Sequence, residues 1–261
     1  MSSLLLYRTW PGFRTESAID WMLAISLCTF LFHLQFAATG WLMRYEAYLV
    51  ALGTLVIAAA VNESVRNLLP VGYAASLQVC APRQLLAAAV ALLILLLPLA
   101  QRAAVGLTFF GAASHNIFHQ QFQMAAFLHN NYDGASVAAN DIGAITFFTH
   151  VDCLDLFGLA NRTVAAARLN RNYTTSVIAT EAERRGARIA VVYDNWFDGT
   201  NLPHLPAFWA AVEKWTVDRN VILGGSTVTF YATHLADADD LSRRLRAFDR
   251  GLPRDVGVSR P

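Results

Sequence analysis

The sequence predicts an α-helical membrane segment of three transmembrane helices followed by an extracytoplasmic α/β domain with a mixed, partly parallel sheet. Three observations predict it. Apolar runs crowd the stretch from Ala18 to Ala104; charged and turn-forming residues return from about His115; and in that second half short apolar runs alternate with helical patterns. Hydrophobic residues make up 55% of the chain and charged residues 15%, whereas a soluble domain carries about a quarter charged. The expected organisation is a cytoplasmic N-terminal segment at 1–17, a three-helix transmembrane region at 18–104, an amphipathic linker helix at 105–134, and an extracytoplasmic α/β domain at 135–261.

The first expected span runs from about Ala18 to Gly40, the second from Tyr45 to Val61 and the third from Leu85 to Gln101. A spanning helix needs about 17–25 residues, so the second and third sit near the lower limit. A cleaved signal peptide does not fit, because Met1 to Glu16 is polar and no small-residue cleavage site follows a short apolar stretch. Orientation rests on basic residues in short loops. Arg8 and Arg14 precede the first span, Arg44 alone separates the first two, and Arg66 and Arg83 separate the second and third. That balance places the N-terminus in the cytoplasm and the loop Trp41–Glu46, with the C-terminal domain, on the outer face.

The net charge of +1 and the lack of a basic stripe with interleaved aromatics argue against a nucleic-acid partner. Cys28, Cys80 and Cys153 show no metal-ligand or disulfide spacing. His115 to His129 reads as an amphipathic helix, with His115, His119, His129, Gln120, Gln121 and Gln123 on a solvated or interfacial side. His115 and His119 share a helical face as a metal pair would, but no carboxylate sits beside them, so no metal is expected.

Beyond it, strands are expected at Ala135–Ala139, Val151–Leu156 and Arg188–Tyr193, and helices at Ile142–Phe148, capped by Asn140 or Asp141, at Thr174–Arg185 and at Asp237–Phe248. Pro206 to Trp215 reads as a Pro-initiated helix, and Asn220–Leu223 with Thr227–Thr233 as a hairpin about Gly224-Gly225. Polar residues then collect at the carboxyl ends of strands, where open α/β sheets bind ligands. The candidate ligand-binding residues are Asn140, Asp141, Asp155, Asp194 and Trp196, a set of carboxylates, an amide and an indole suited to sugar hydroxyls; Asx residues also cap helices and close turns. Arg44 and Glu46 in the short outer loop are a further pair, able to meet a lipid phosphate or to anchor the interface beside Trp41, Tyr45 and Tyr48.

The run Val137 to Phe148, continuing through Leu154-Asp155-Leu156-Phe157-Gly158-Leu159-Ala160, resembles the extracytoplasmic C-terminal domain of bacterial polytopic glycosyltransferases of the GT-C type. Arg44 to Leu49, Gln120 to Ala125 and Tyr193 to Phe197 add weaker likeness. The resemblance implies the bacterial cytoplasmic (inner) membrane, a multi-pass chain and a polyprenyl-phosphate sugar donor, with no cofactor held by this chain. It also implies a catalytic acidic residue in a first outer loop, which has no counterpart here, so the catalytic residue is unknown. The expected function is therefore the C-terminal portion of such an enzyme, binding a glycan or glycolipid acceptor without catalysis alone, with Met1 as an internal start. Its partners would be membrane lipid, a glycan or polyprenyl-linked sugar, and a polytopic transferase. The alternative is an accessory membrane protein that docks a separately encoded transferase. An independent hydrolase comes last, because no nucleophile elbow or phosphate loop is present.

Overall fold

The structure is a computed structural model and describes residues 18–37, 44–68 and 82–261. Arg8, Arg14, Trp41 and Cys80, and with them parts of the expected loops, lie outside the described residues. The chain divides into two compact units, Met1–Gly106 and Leu107–Pro261.

In the first unit, α1 (Ala18–Phe36) and α2 (Ala47–Leu68) pack on each other, and the turn Arg44–Glu46 leads into α2. Apolar side chains such as Leu27, Phe32 and Phe36 face outward, while His33 is buried and its Nδ1 lies 2.6 Å from the Tyr48 hydroxyl. A helix apolar all round is what a non-aqueous surrounding selects. Helix α3 (Pro82–Asn116) follows.

Three spans are expected, whereas two stretches of helix among the described residues are long and apolar enough to cross a membrane. They are Ala18–Phe36 and Leu96–Tyr132, with mean hydropathy 1.5 and 1.3. The second expected span falls short because its apolar run covers only Ala47–Val61. Continuous helix also carries the third apolar stretch well past Gln101.

The second unit begins in the last turns of α3, widens into a π-helical segment (Ile117–Phe122) and returns to α-helix in α4 (Gln123–Tyr132). There follow β1 (Ser136–Ala139), α5 (Gly143–Phe148), β2 (Asp152–Asp155), α6 (Arg162–Leu169), α7 (Thr175–Arg185) and β3 (Ile189–Val192). The chain ends with β4 (Ala210–Val217), β5 (Thr227–Ala232), α8 (Ala238–Phe248) and β6 (Val256–Ser259). The six-stranded sheet has the order β2-β1-β3-β5-β4-β6. Strand β1 is parallel to β2 and β3, and the pairs β3–β5, β5–β4 and β4–β6 are antiparallel, so the sheet is mixed and partly parallel.

Side chains alternate across this sheet with the two-residue period of a strand. Val137 and Ala139 of β1 and Ile189 and Val191 of β3 join one core with Phe127, Leu128, Ile145, Trp215 and Phe230. Ala138, Ala190 and Val192 join the other with Leu154, Ile178, Ala182 and Trp209. Both faces are thus covered, as a sheet with parallel strands requires. The stretch read as a linker contributes Met124, Phe127 and Leu128 to the first of these cores.

Three local readings are corrected. Pro206 starts a single turn, closed by the Trp209 N–H on the Pro206 carbonyl at 3.0 Å, and the following residues are strand β4. Ala, Glu and Lys favour a helix there, but Glu213, Trp215 and Val217 are buried at every second position. Asn220 to Leu223 is loop, because β4 is the true partner of β5. Helix α5 has Ile142 at its N-cap position, in place of the expected Asn140 or Asp141. Two elements are additional: α6, whose first turn is held by Asn161 Oδ1 accepting from the N–H groups of Thr163 and Val164, and the edge strand β6.

Candidate functional site

Strands β1, β2 and β3 run the same way, with Ala139 level with both Asp155 and Val191. Their carboxyl ends therefore share one edge. From β1 the chain passes through α5 to β2 on one side, and from β2 through α7 to β3 on the other. Ile145 of α5 packs in one core and Ile178 of α7 in the opposite one. The gap between β1 and β3 is thus a topological switch point, the place where doubly wound sheets receive ligands.

The residues expected at this edge have separate roles. Asp155 is fully buried, and its carboxylate accepts the backbone N–H groups of Phe157 and Gly158 through Oδ1 and of Ala160 through Oδ2. It thereby folds the loop after β2. Asn140 is buried too and bridges the switch point: its Oδ1 accepts the Tyr193 N–H at 3.0 Å. Its Nδ2 is buried with no hydrogen-bond partner among the described residues. Asp141 accepts from Gln121 Nε2 at 2.9 Å. The Trp196 indole N–H donates to the Gly224 carbonyl at 2.8 Å, and its ring stacks near Tyr193. A Cβ on Gly224 would lie 2.7 Å from the Trp196 ring, so the bare backbone is what admits this contact.

Asp194 lies at the exposed end of the same edge, its side chain 38% accessible. It accepts from the Thr229 hydroxyl at 2.7 Å and the Tyr231 hydroxyl at 2.9 Å, with Lys214 Nζ at 3.6 Å. Burial, then the Asp194 charge, pushes the Tyr231 phenol well above its ordinary range and keeps it a donor. Asp194, Asn195, Lys214 and Ser226 line an open cleft of about 620 Å³. Arg44 and Glu46 belong to the first unit, where the Arg44 guanidinium lies over the Tyr45 ring at 5.2 Å, the Arg44 carbonyl accepts the Ala47 N–H and the Glu46 carbonyl accepts those of Leu49 and Val50.

The π-helical segment carries what the sequence left unassigned. Gln120 and Gln121, expected on a solvated side, are buried, as are His119 and Gln123. Gln121 Nε2 donates to the Tyr193 hydroxyl at 2.6 Å, which donates to Gln120 Oε1 at 2.8 Å; Gln120 Nε2 donates to the Ser226 carbonyl at 3.0 Å. Burial and the nearby Asp141 charge raise the Tyr193 phenol far above its usual range, so it stays neutral within this chain of bonds. The sequence signal for this network was the run Gln120-Gln121 with Gln123, which reads as part of the helix's polar side. Burial pushes the Cys153 thiol up to about 12, which keeps it protonated at neutral pH.

A family model described as a domain of unknown function (DUF8728) matches residues 115–231. The match takes in the π-helical segment, the switch point and the Asp194 cleft apart from Ser259. No curated protein and no solved structure matches the chain.

Proposed function

We propose that this chain is the C-terminal portion of a GT-C-like membrane glycosyltransferase. In this reading its apolar helices are held in the bacterial inner membrane, and its α/β unit, on the outer side, binds a glycan or glycolipid acceptor without completing transfer alone. One observation carries the reading: just past β3, beside the strands β5 and β4, a cleft presents a carboxylate, an amide and an ammonium, Asp194, Asn195 and Lys214. Hydroxyl-rich ligands are recognised by such acceptors and donors set on a rigid edge. The likeness of Val137 to Ala160 to GT-C outer domains and the two helices long enough to cross a membrane support the same reading. The buried residues Asn140 and Asp155 serve it by holding the edge in place, and Asp194 and Asn195 meet the ligand.

The test is binding of envelope-type oligosaccharides and polyprenyl-linked sugars to the purified full-length chain in detergent. Saturable binding is expected, weakened at least about tenfold by Asp194→Ala, which removes a charged hydrogen-bond acceptor. The exposed Asp133→Ala is expected to leave it unchanged. Absence of binding to every glycan and glycolipid tried, or binding indifferent to Asp194→Ala, would overturn the proposal.

A further inference from the structure

His115 ends α3 and His119 lies one turn later in the π-helical segment, so both rings project from one side of the helix. Their centroids are 3.6 Å apart. Fold closure brings Asp255, just before β6, against them: His115 Nε2 and Asp255 Oδ2 are 3.2 Å apart. One nitrogen of each ring and a carboxylate oxygen of Asp255 all lie within 4.8 Å of one another.

Zinc held at about 2.0–2.2 Å by imidazole and carboxylate separates its ligand atoms by roughly 3.4 Å. The His115–Asp255 pair already has that spacing, and the His119 donor lies within 4.8 Å of both. A second observation points the same way. His119 is 9% exposed, and its Nδ1 is buried with no hydrogen-bond partner among the described residues. Such a nitrogen costs free energy unless something satisfies it. The surroundings suit an ion with open coordination positions, because His115 and Asp255 line a cleft of about 530 Å³ together with Asn116, Asp218 and Arg219.

We infer that His115, His119 and Asp255 form a site for a zinc-class divalent cation, with two imidazoles and one carboxylate as protein ligands and the remaining positions open to the cleft. Borderline-soft metals prefer this nitrogen-rich set, whereas magnesium and calcium prefer all-oxygen sites. The carboxylate is 140 positions from the first histidine, which hides it from any local motif. The site stands on its own geometry and is independent of glycan binding at Asp194.

The second group of similar composition, His129, Asp133 and His150, serves as a control. All three residues are exposed, and His150 engages both Asp133 oxygens, one through its backbone N–H and one through its ring.

The experiment titrates Zn²⁺ into the full-length chain in mild detergent after chelator treatment, read by calorimetry and by metal analysis after dialysis. One zinc per chain is expected. His115→Ala and Asp255→Asn should each weaken binding at least about a hundredfold, the upper end of what loss of a mere supporting contact costs. The double variant His129→Ala/His150→Ala should bind as the natural chain does. Asp255 is a surface residue, so Asp255→Asn reports on the ligand with the fold intact. No saturable zinc, zinc that persists in both ligand variants, or zinc lost only in the double variant overturns the site.

Discussion

The two units place hydrophobicity in opposite ways. Around α1 and α2 the large apolar side chains face outward and the polar His33 is buried, its ring beside the hydroxyl of the half-exposed Tyr48. In the α/β unit Trp215, Phe127 and Phe230 are sealed inside, and charge is spread over the surface. Equal hydrophobicity thus has two physical meanings. In one unit it lies on the outside of the helices; in the other it is a core that water drives together.

The contrast breaks most sharply by truncating one aromatic in each unit. Trp215 is 0% exposed and packs against Phe127, Phe230 and Phe248. Trp215→Ala should destabilise the α/β unit by about 3–5 kcal/mol in denaturant unfolding. Phe32 is 65% exposed, and Phe32→Ala should shift the same transition by less than about 0.5 kcal/mol. Comparable losses from the two variants would erase the distinction between the units.

A smaller effect sharpens the contrast within the α/β unit itself. Asp155→Ala strips the partner from three backbone N–H groups and should cost about 2–3 kcal/mol, read as a lower unfolding midpoint. An unchanged midpoint would mean that the loop after β2 is held by something else.

The smallest expected effect depends on pH. Glu213 is fully buried beside Asp249, accepts from the Trp215 indole at 2.8 Å and lies 2.9 Å from Arg260. Burial, and then the neighbouring Asp249, push its carboxyl up to about 7 against an ordinary 4.5. A pKa raised by folding means that the folded state holds the proton more tightly. This contribution to stability is therefore complete below about pH 4.5 and is lost as pH rises to about 7. Chemical denaturation across that window should show the decline, and Glu213→Gln should flatten it. A wild-type curve already flat between those values would remove Glu213 as its source.

Much of the α/β fold was legible because its signals are local. Ile189 to Val192 and Thr175 to Arg185 announce a buried strand and a helix ending at Gly186. The placement of Asn140, Asp155 and Asp194 at one edge was legible as far as the strands were read as parallel, but it depends on their register, which sets Ala139 level with Asp155 and Val191. Their roles were not legible. Nothing local tells a carboxylate that folds its own loop, as Asp155 does, from one facing a cleft, as Asp194 does. Strand β4 was hidden because its composition suits a helix and its partner β5 lies ten residues further on. The burial of Gln120 and Gln121 depends on Tyr193, some seventy residues away, and on a helix that departs from its regular pitch.

Within the second unit that departure acts as a clutch between the last turns of α3 and α4. A π-helical segment accommodates about one residue more than an α-helix of the same length, equivalent to roughly 100° of rotation. The facing of the last turns of α3, from Leu107 within the second unit, is thereby uncoupled from that of α4, and side chains on either side of Ile117–Phe122 need not obey a common stripe. Removing one residue from this segment would re-engage the two stretches, turning either Phe127 out of the core or His115 away from Asp255.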